Sequence, residues 1–357
     1  MTAAPRGWWL VPAALAAAAP LRGASVQADP RGPGAPAPDR AAQAELFRSD
    51  DVLAVTLRTD LRALFRDRDT TSSPWRAATL TLAGPAGPVT VPLQVRTRGN
   101  YRLLHCDVPP LRLRFGEEQV RGTPLEGLDR PKLATHCRSG SEYEQYLLHE
   151  YAIYRIYRLF TPLSFSTRLL RVTYEDTAGA ARPVTGYAFL TEDPARLAAR
   201  VGATPLDMGD VRLGSLERGH TAMLSVFQYF VANTDWAVPF QHNVALLRVA
   251  DSILAVPFDF DWSGAINARY AVPARLLHIR SVRVRKYRGL CQPAASLQPV
   301  LARFVALRDS IAAVYRAVPG LDPRLVERTL RYYDEFYQAI EDPQRFVQRV
   351  VEPDCGW

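Results

Sequence analysis

The hydrophobic pattern of this chain changes along its length, and the change restricts the folds available to it. In the first half, apolar and polar residues mostly alternate, which is typical of strands that bury one face. In the second half, apolar residues mostly recur every three or four positions, which is typical of amphipathic helices. The sequence therefore predicts an α+β fold, with an N-terminal antiparallel sheet plus one long helix and a mainly helical C-terminal part.

The predicted elements can be placed from the same pattern. Strands are expected at 52–57, 78–82, 89–95, 111–115, 131–135, 167–174 and 184–190. A long helix is expected at 142–159, and its stripe of tyrosines indicates core packing rather than a ligand site. Further helices are expected at 221–233, 295–318, 323–340 and 343–350, with a hairpin of short strands at 244–249 and 253–256.

The N-terminal residues 1–28 have the pattern of a secretory signal. Arg6 is the only early charge, an apolar run covers 8–21, and small residues stand at a cleavage site ending in Ala28. A Pro- and Ala-rich linker is expected at 29–45. The sequence therefore predicts a secreted or periplasmic protein with no membrane span.

Export places the four cysteines in an oxidising compartment, where two disulfides are stable. Three connectivities are possible, and proximity favours Cys106 with Cys137 and Cys291 with Cys355. A zinc site is the alternative, because a histidine directly precedes both Cys106 and Cys137. Adjacent His-Cys pairs lack the spacing that zinc knuckles use, so the disulfides are preferred.

The basic residues are almost all arginine: of 44, only Lys132 and Lys286 are lysine. A guanidinium cannot replace a compact ammonium at every site, so these two lysines are candidates for a specific role. The net charge of +8 is spread along the chain without long blocks, which argues against nucleic-acid binding. One denser run, 280–288, either attracts acidic substrates or forms a solvated strand face.

A dense set of polar residues surrounds the predicted hairpin. Asp235 follows a helix, Asn243 directly precedes the first strand, and Asp259 directly follows the second. A hairpin returns its ends to one place, so Asn243 and Asp259 should be neighbours.

Carboxylate and amide oxygens suit Mg²⁺, and phosphoryl transfer needs one further carboxylate to orient the attacking hydroxyl. Asn243 and Asp259 are therefore candidate metal ligands and Asp235 a candidate base, although turn and cap roles also explain such residues. Asp261 is either a second metal ligand or a satisfied polar residue.

Three stretches of the chain resemble motifs of the spore-coat CotH-like atypical protein kinases, and they follow one another along the chain in the same order as in that family. The polar segment 233–262 looks like the D…N…DxD arrangement of that family. The stretch Arg96-Thr97-Arg98-Gly99-Asn100-Tyr101 is similar to the family's R-x-RGN motif. The strand 186–192, which ends in Glu192, looks like the stretch before the family's C-lobe.

The resemblance implies a two-lobed protein-kinase-like fold, with an N-lobe at 46–192, a C-lobe at 193–357 and a catalytic hairpin at 235–262. It implies an exported kinase that binds ATP with Mg²⁺ or Mn²⁺ and phosphorylates the Ser or Thr hydroxyl of a protein, with acidic proteins among the candidates. A catalytically inactive binding or scaffold module of the cell envelope is the alternative. A metal-dependent hydrolase is a third class, which the absence of clustered histidines disfavours.

In a kinase-like site a lysine must reach the nucleotide phosphates. Lys132 is the only lysine of the N-terminal half and is predicted on a strand directly before the long helix, so it is the candidate. Either Glu144 or Glu150 of that helix could be its carboxylate partner. The turn that follows Arg96 and Arg98 could approach phosphate oxygens, although a plain hairpin turn explains it equally well. Glu192 completes the set of expected cofactor-binding residues.

Overall fold

The computed structural model describes residues 44–84, 87–207, 209 and 211–356. The predicted signal peptide and nearly all of the predicted linker lie outside these residues. Within the described part of the chain, no helix combines the length and the apolar character needed to cross a membrane.

Seven strands form a closed barrel in the order β1-β2-β3-β4-β5-β7-β6. They are β1 Leu53–Thr59, β2 Arg76–Gly84, β3 Gly87–Thr97, β4 Leu111–Arg114, β5 Lys132–Thr135, β6 Thr167–Asp176 and β7 Val184–Thr191. Every pair is antiparallel except β1 with β6, which run parallel and close the barrel, with Leu53 opposite Leu170. Alternate residues of each strand, such as Leu57 and Val95, fill an apolar interior.

The predicted fold class is wrong in its architecture, although the chain does belong to the α+β class. Its N-terminal strands form a closed mixed barrel, whereas a two-lobed kinase-like fold with an antiparallel N-terminal sheet was expected. Alternation along a strand shows that one face is buried, but it does not show which distant strand pairs with which edge. The parallel contact of β1 with β6 joins segments more than a hundred residues apart, and it converts a sheet into a barrel. The domain division at residue 192 stays a prediction.

The helices are α1 Leu61–Arg66, α2 Tyr101–His105, α3 Glu117–Val120, α4 Ser141–Phe160, α5 Pro194–Arg200, α6 Arg218–Phe230, α7 Ala294–Ala306, α8 Arg308–Arg316, α9 Pro323–Ala339 and α10 Pro343–Phe346. A π-helical turn, Val347–Val351, follows α10. A second sheet, in the order β10-β9-β8, contains β8 Thr204–Leu206, β9 Val244–Val249 and β10 Ser252–Pro257. The single helix predicted at 295–318 is two helices, because the backbone leaves helical geometry at Leu307.

The long helix α4 lies between the barrel and the C-terminal helices. Its tyrosines pack as predicted: the ring of Tyr151 contacts Phe189 of β7, and that of Tyr157 contacts Phe227 of α6. A single apolar cluster thus continues from the outside of the barrel through α4 into the helical part. This packing fixes the position of α4 relative to the β9–β10 hairpin.

Both predicted disulfides are present, Cys106–Cys137 and Cys291–Cys355. The first joins the end of α2 to the segment after β5, and Val108 N–H donates to the carbonyl of Cys137 at 2.9 Å beside it. The zinc alternative is therefore wrong, because Cys106 and Cys137 are bonded to each other. This disulfide holds the turn after β3 next to β5.

The basic run 280–288 lies in turns and irregular chain, so it is not a strand face. Arg285 forms an ion pair with Glu335 at 2.9 Å, and Lys286 pairs with Asp354 at 2.6 Å. These cations attach the segment to the C-terminal part of the chain rather than projecting together into solvent.

Candidate functional site

A cavity of about 340 Å³ lies between the barrel, α4 and the β9–β10 hairpin. Six of the eight predicted site residues line it, namely Arg98, Lys132, Asp235, Asn243, Asp259 and Asp261. Its volume lies within the range of small-ligand pockets, about 300–1,000 Å³. The residues that the sequence singled out for phosphate, metal and base chemistry therefore face one space.

The β9–β10 hairpin brings its two ends together as predicted. Phe258 N–H donates to the carbonyl oxygen of Asn243 at 3.0 Å, so Asn243 and Asp259 are neighbours. Both have positive φ, 53° for Asn243 and 63° for Asp259, a region that Asn and Asp enter more readily than most residues. Asp259 N–H donates to the hydroxyl oxygen of Tyr154 at 2.8 Å, so α4 holds this unusual backbone in place.

Asp235 is held by its neighbours in sequence. The side-chain oxygen of Asn233 accepts from Asp235 N–H at 3.0 Å. His242 Nε2 lies 2.8 Å from Asp235 Oδ1, and Asn243 Nδ2 donates to Asp235 Oδ2 at 3.0 Å. The hydrogen bond that His242 donates to the Asp235 carboxylate raises the pKa of His242 above its usual value. Asp235 and Asn243 are thus locked in direct contact at the edge of the cavity.

Asp259 and Asp261 share a side-chain hydrogen bond, but their pKa values are shifted in opposite directions. Burial opposes the ionisation of Asp259, yet Arg98 and Arg102 nearby outweigh it and lower the pKa of this carboxyl. Burial and the charge of Asp259 raise the pKa of Asp261 well above its ordinary value. Asp259 is therefore the stronger acid of the two, and Asp261, which also accepts from Tyr270 Oη at 3.1 Å, holds its proton more tightly.

Arg102 is the principal site residue that sequence reasoning missed. It lies on α2, a helix of one turn that the hydrophobic pattern does not reveal. Its guanidinium pairs with Glu150 at 3.3 Å and lies 3.8 Å from Asp261, and it donates to the carbonyl of Thr135 at 2.6 Å. Burial raises the pKa of Glu150 to about 7 despite this cation. The only available signal was its position directly after the Arg98-Gly99-Asn100-Tyr101 stretch.

Lys132 faces the cavity from β5 with its Nζ 3.8 Å from the ring centre of Phe258. Burial and the charges of Arg98 and Arg112 lower its pKa well below the usual lysine value. Among the described residues its ammonium forms no ion pair with either predicted partner. Glu150 pairs with Arg102 instead, and Glu144 pairs with Arg171 at 2.9 Å.

Two predicted site residues lie outside the cavity lining. Arg96 stacks on the ring of Trp75, with its guanidinium carbon 4.7 Å from the ring centre. Glu192 is buried, accepts from Ser166 N–H at 2.7 Å and pairs with Arg200 at 2.6 Å. The contacts of Glu192 anchor the end of β7.

The donor set fits a divalent cation that shares its ligands with a phosphate. No group of three or more His, Cys, Asp or Glu side chains is placed to hold a metal within the described ranges. Mg²⁺, however, is usually bound by one or two protein oxygens together with substrate phosphates and water. The Asp259 carboxylate and the Asn243 amide line the same cavity as Arg98 and Lys132, so these two side chains would hold such an ion while the two cations attract the phosphates.

The fold and the site together define an α+β barrel protein in which a cavity beside the barrel is lined by both carboxylates and cations. No family model, curated protein or solved structure matches this chain in the comparisons.

Proposed function

We propose that this protein is a phosphotransferase that uses a divalent cation to move the γ-phosphate of ATP to the hydroxyl of a protein substrate. The observation that carries the proposal is the convergence of Lys132, Asp235, Asn243 and Asp259 on one cavity. These residues lie on segments up to about 130 positions apart in the sequence, so chain proximity alone does not bring them together. A role in a turn or a helix cap explains each of these residues singly, but it does not explain why all four side chains face the same cavity.

Phosphate binding is assigned to Lys132 and Arg98. Both line the cavity, and phosphate oxygens are strong acceptors for cationic donors. Lys132 has a lowered pKa in the absence of an anion, and a bound phosphate would favour its charged form. The ammonium is therefore held where an incoming anion is its natural partner.

Asn243 and Asp259 are assigned to hold the cation, Mg²⁺ or Mn²⁺. When bound, such an ion neutralises charge on the phosphate oxygens during transfer. Asp261, held by its hydrogen bonds to Asp259 and Tyr270, is assigned to position Asp259 rather than to bind metal.

Asp235 is assigned as the residue that orients the acceptor hydroxyl. In the proposed step, the hydroxyl oxygen bonds to the γ-phosphorus while the bond from that phosphorus to the bridging oxygen breaks and ADP leaves. The hydroxyl proton passes to the Asp235 carboxylate, which is within hydrogen-bond reach of His242 Nε2. His242 and Asn243 fix the direction in which Asp235 can accept that proton.

The resemblance to the spore-coat CotH-like kinases remains part of this proposal, for the segment 233–262 and the turn at 96–101. Action outside the cytoplasm is likewise proposed, and the two disulfides are compatible with it.

The test is transfer of label from γ-labelled ATP in the presence of Mn²⁺ to the protein itself or to a generic acidic protein. Lys132→Ala and Asp259→Asn are expected to abolish labelling. The chain offers a matched control, since Lys286→Ala removes the other lysine, which does not line the cavity. Equal labelling by the wild type and Asp259→Asn would contradict the assignment.

A non-catalytic nucleotide-binding module is the second candidate. It is favoured by one observation, namely that both carboxylate oxygens of Asp235 already contact neighbours, His242 and Asn243. The two functions separate in a thermal unfolding assay with ATP and Mn²⁺. A ligand at about 100 times its Kd adds about 2.7 kcal/mol of stability, so stabilisation without label transfer identifies the binding module.

A further inference from the structure

Three cations stand side by side across three neighbouring strands of the barrel. Arg96 of β3 is directly opposite Arg112 of β4, and Arg112 is directly opposite Lys132 of β5. We call these three residues the cation row. Residues directly opposite on adjacent strands project to the same face, and here that is the outer face, because Leu113 and Leu133 beside them fill the barrel interior.

The cation row is electrostatically unfavourable by itself. Like charges directly opposite each other on a sheet are destabilising, and Arg98 adds a fourth charge beside them. Burial, Arg98 and Arg96 together lower the pKa of Arg112 to about 10. Elsewhere in the same barrel the usual arrangement holds, since Arg58 of β1 is opposite Glu175 of β6.

No carboxylate forms an ion pair with the cation row within the described residues, although Asp193 acts on Arg112, and Asp193 and Asp259 act on Lys132, at longer range. Arg96, Arg98 and Arg112 form no ion pair there, and Arg96 instead stacks on Trp75. Their nitrogens are not among the buried polar atoms that lack partners, so they reach solvent. Half-buried cations that reach solvent and have no ion-pair partner provide a binding site for an anion.

The shape of the site indicates the kind of anion. Neighbouring strands lie about 4.8 Å apart, so the cation row extends for about 10 Å. It begins at Lys132, which lines the cavity, and continues to Arg112 and Arg96, which do not. Because Arg96 is stacked on Trp75 at one end of the row and Lys132 lines the cavity at the other, a linear chain of phosphates fits the row better than a single phosphate group does.

We infer that the cation row binds a chain of linked phosphate groups, so that inorganic polyphosphate, without a nucleobase, is a ligand of this protein. The inference deepens the proposed function, on which it rests for the placement of phosphate at Lys132. It names the chemistry of the ligand: a phosphoanhydride chain that extends past the cavity, with its charge recognised by strand arginines.

The test is calorimetric titration of the full chain with orthophosphate, tripolyphosphate, long-chain polyphosphate and ATP. Affinity is expected to rise with chain length. Arg112→Gln should weaken binding of the long chain about tenfold or more, because it removes a charged hydrogen-bond donor, and should change ATP binding less. The slope of log affinity against log salt should fall by about one, as for phosphate contacts in nucleic-acid binding.

Arg58→Gln is the matched control, since it removes a strand arginine of the same barrel outside the cation row. Arg112→Gln should fold with an unchanged or higher thermal midpoint, because it removes a like charge. The inference is overturned if long-chain polyphosphate binds no more tightly than tripolyphosphate, or if the two variants weaken its binding equally. It is also overturned if a single-stranded oligonucleotide binds more tightly than polyphosphate with the same dependence on Arg112.

The inference and the proposed function can fail separately. Polyphosphate binding that depends on Arg112, without label transfer from ATP, would remove the transferase function and leave the site. Label transfer from ATP without polyphosphate binding would remove the polyphosphate site and leave the transferase function.

Discussion

The ion pairs of Arg102 provide the sharpest structural test of the site. Its guanidinium lies 3.3 Å from Glu150 and 3.8 Å from Asp261. The side chains of these two acids are only 3% and 6% exposed. Substitution of Arg102 by Met keeps the side-chain length but leaves both acidic groups buried without their cation. The pKa of each acid is already raised, so both can take up a proton once the cation is gone, and the main loss is that of the buried donor to Glu150 and to the Thr135 carbonyl. We expect the free energy of unfolding to fall by about 1–3 kcal/mol.

Equilibrium unfolding in urea measures this loss. With a slope of about 3 kcal/mol per M, at the upper end for small proteins, the midpoint should fall by about 0.3–1 M. Adding Glu150→Gln to Arg102→Met should recover part of the loss, because a glutamine at this position does not ionise and needs no cation. A coupling free energy of about 1 kcal/mol or more between the two substitutions is expected.

A matched control is the pair of Arg171 with Glu144, at 2.9 Å but more exposed. Surface pairs contribute about 0–1 kcal/mol, so Arg171→Met should have a small effect. If Arg102→Met destabilises no more than Arg171→Met, then Arg102 does not compensate the buried acids and the electrostatic description of the cavity is wrong.

Three further outcomes are expected. Burial lowers the pKa of His149 from its ordinary 6.5 to about 4, so the unfolded chain binds its proton first. The free energy of unfolding is therefore unaffected by His149 above pH 6.5 and falls by up to about 3 kcal/mol as the pH is lowered toward 4. His149→Phe should flatten that part of the plot of stability against pH. Replacing Cys291 and Cys355 by Ser opens a loop closed over 64 residues and should lower stability by about 4 kcal/mol in non-reducing urea titrations. Tyr154→Phe removes the acceptor of Asp259 N–H, and we expect at least a tenfold loss of label transfer and a stability change of about 1 kcal/mol. Unchanged transfer by that variant would show that the Asp259 backbone does not need this contact.

Local signals in the sequence predicted much of the secondary structure. The seven barrel strands, the long helix α4 and the β9–β10 hairpin all lie within a few residues of their expected positions. Short elements such as α2 were missed, because one helical turn is too brief to show a period. Both disulfides followed from proximity along the chain.

Some contacts of the candidate site could likewise be predicted from the sequence, and others could not. The neighbourhood of Asn243 and Asp259 was predictable, because a two-stranded hairpin joins them directly. The partner of Glu150 was not predictable, because Arg102 reaches it from the short helix α2, 48 residues away in the sequence. Glu192 looked like a site residue at the end of a strand, but its contacts with Ser166 and Arg200 turn it away from the cavity lining.

The sequence by itself determined where the barrel strands, the long helix α4 and the β9–β10 hairpin lie, which cysteines pair, and which polar residues gather at the hairpin. These features depend on period, spacing and neighbours along the chain, and all of them are local. Only the tertiary structure decided that β1 closes on β6, that Arg102 rather than Lys132 pairs with Glu150, and that Arg96 and Arg112 align with Lys132. Those outcomes depend on strand register and on charges brought together from distant segments, where packing of the whole barrel selects one pairing among many that the local pattern allows.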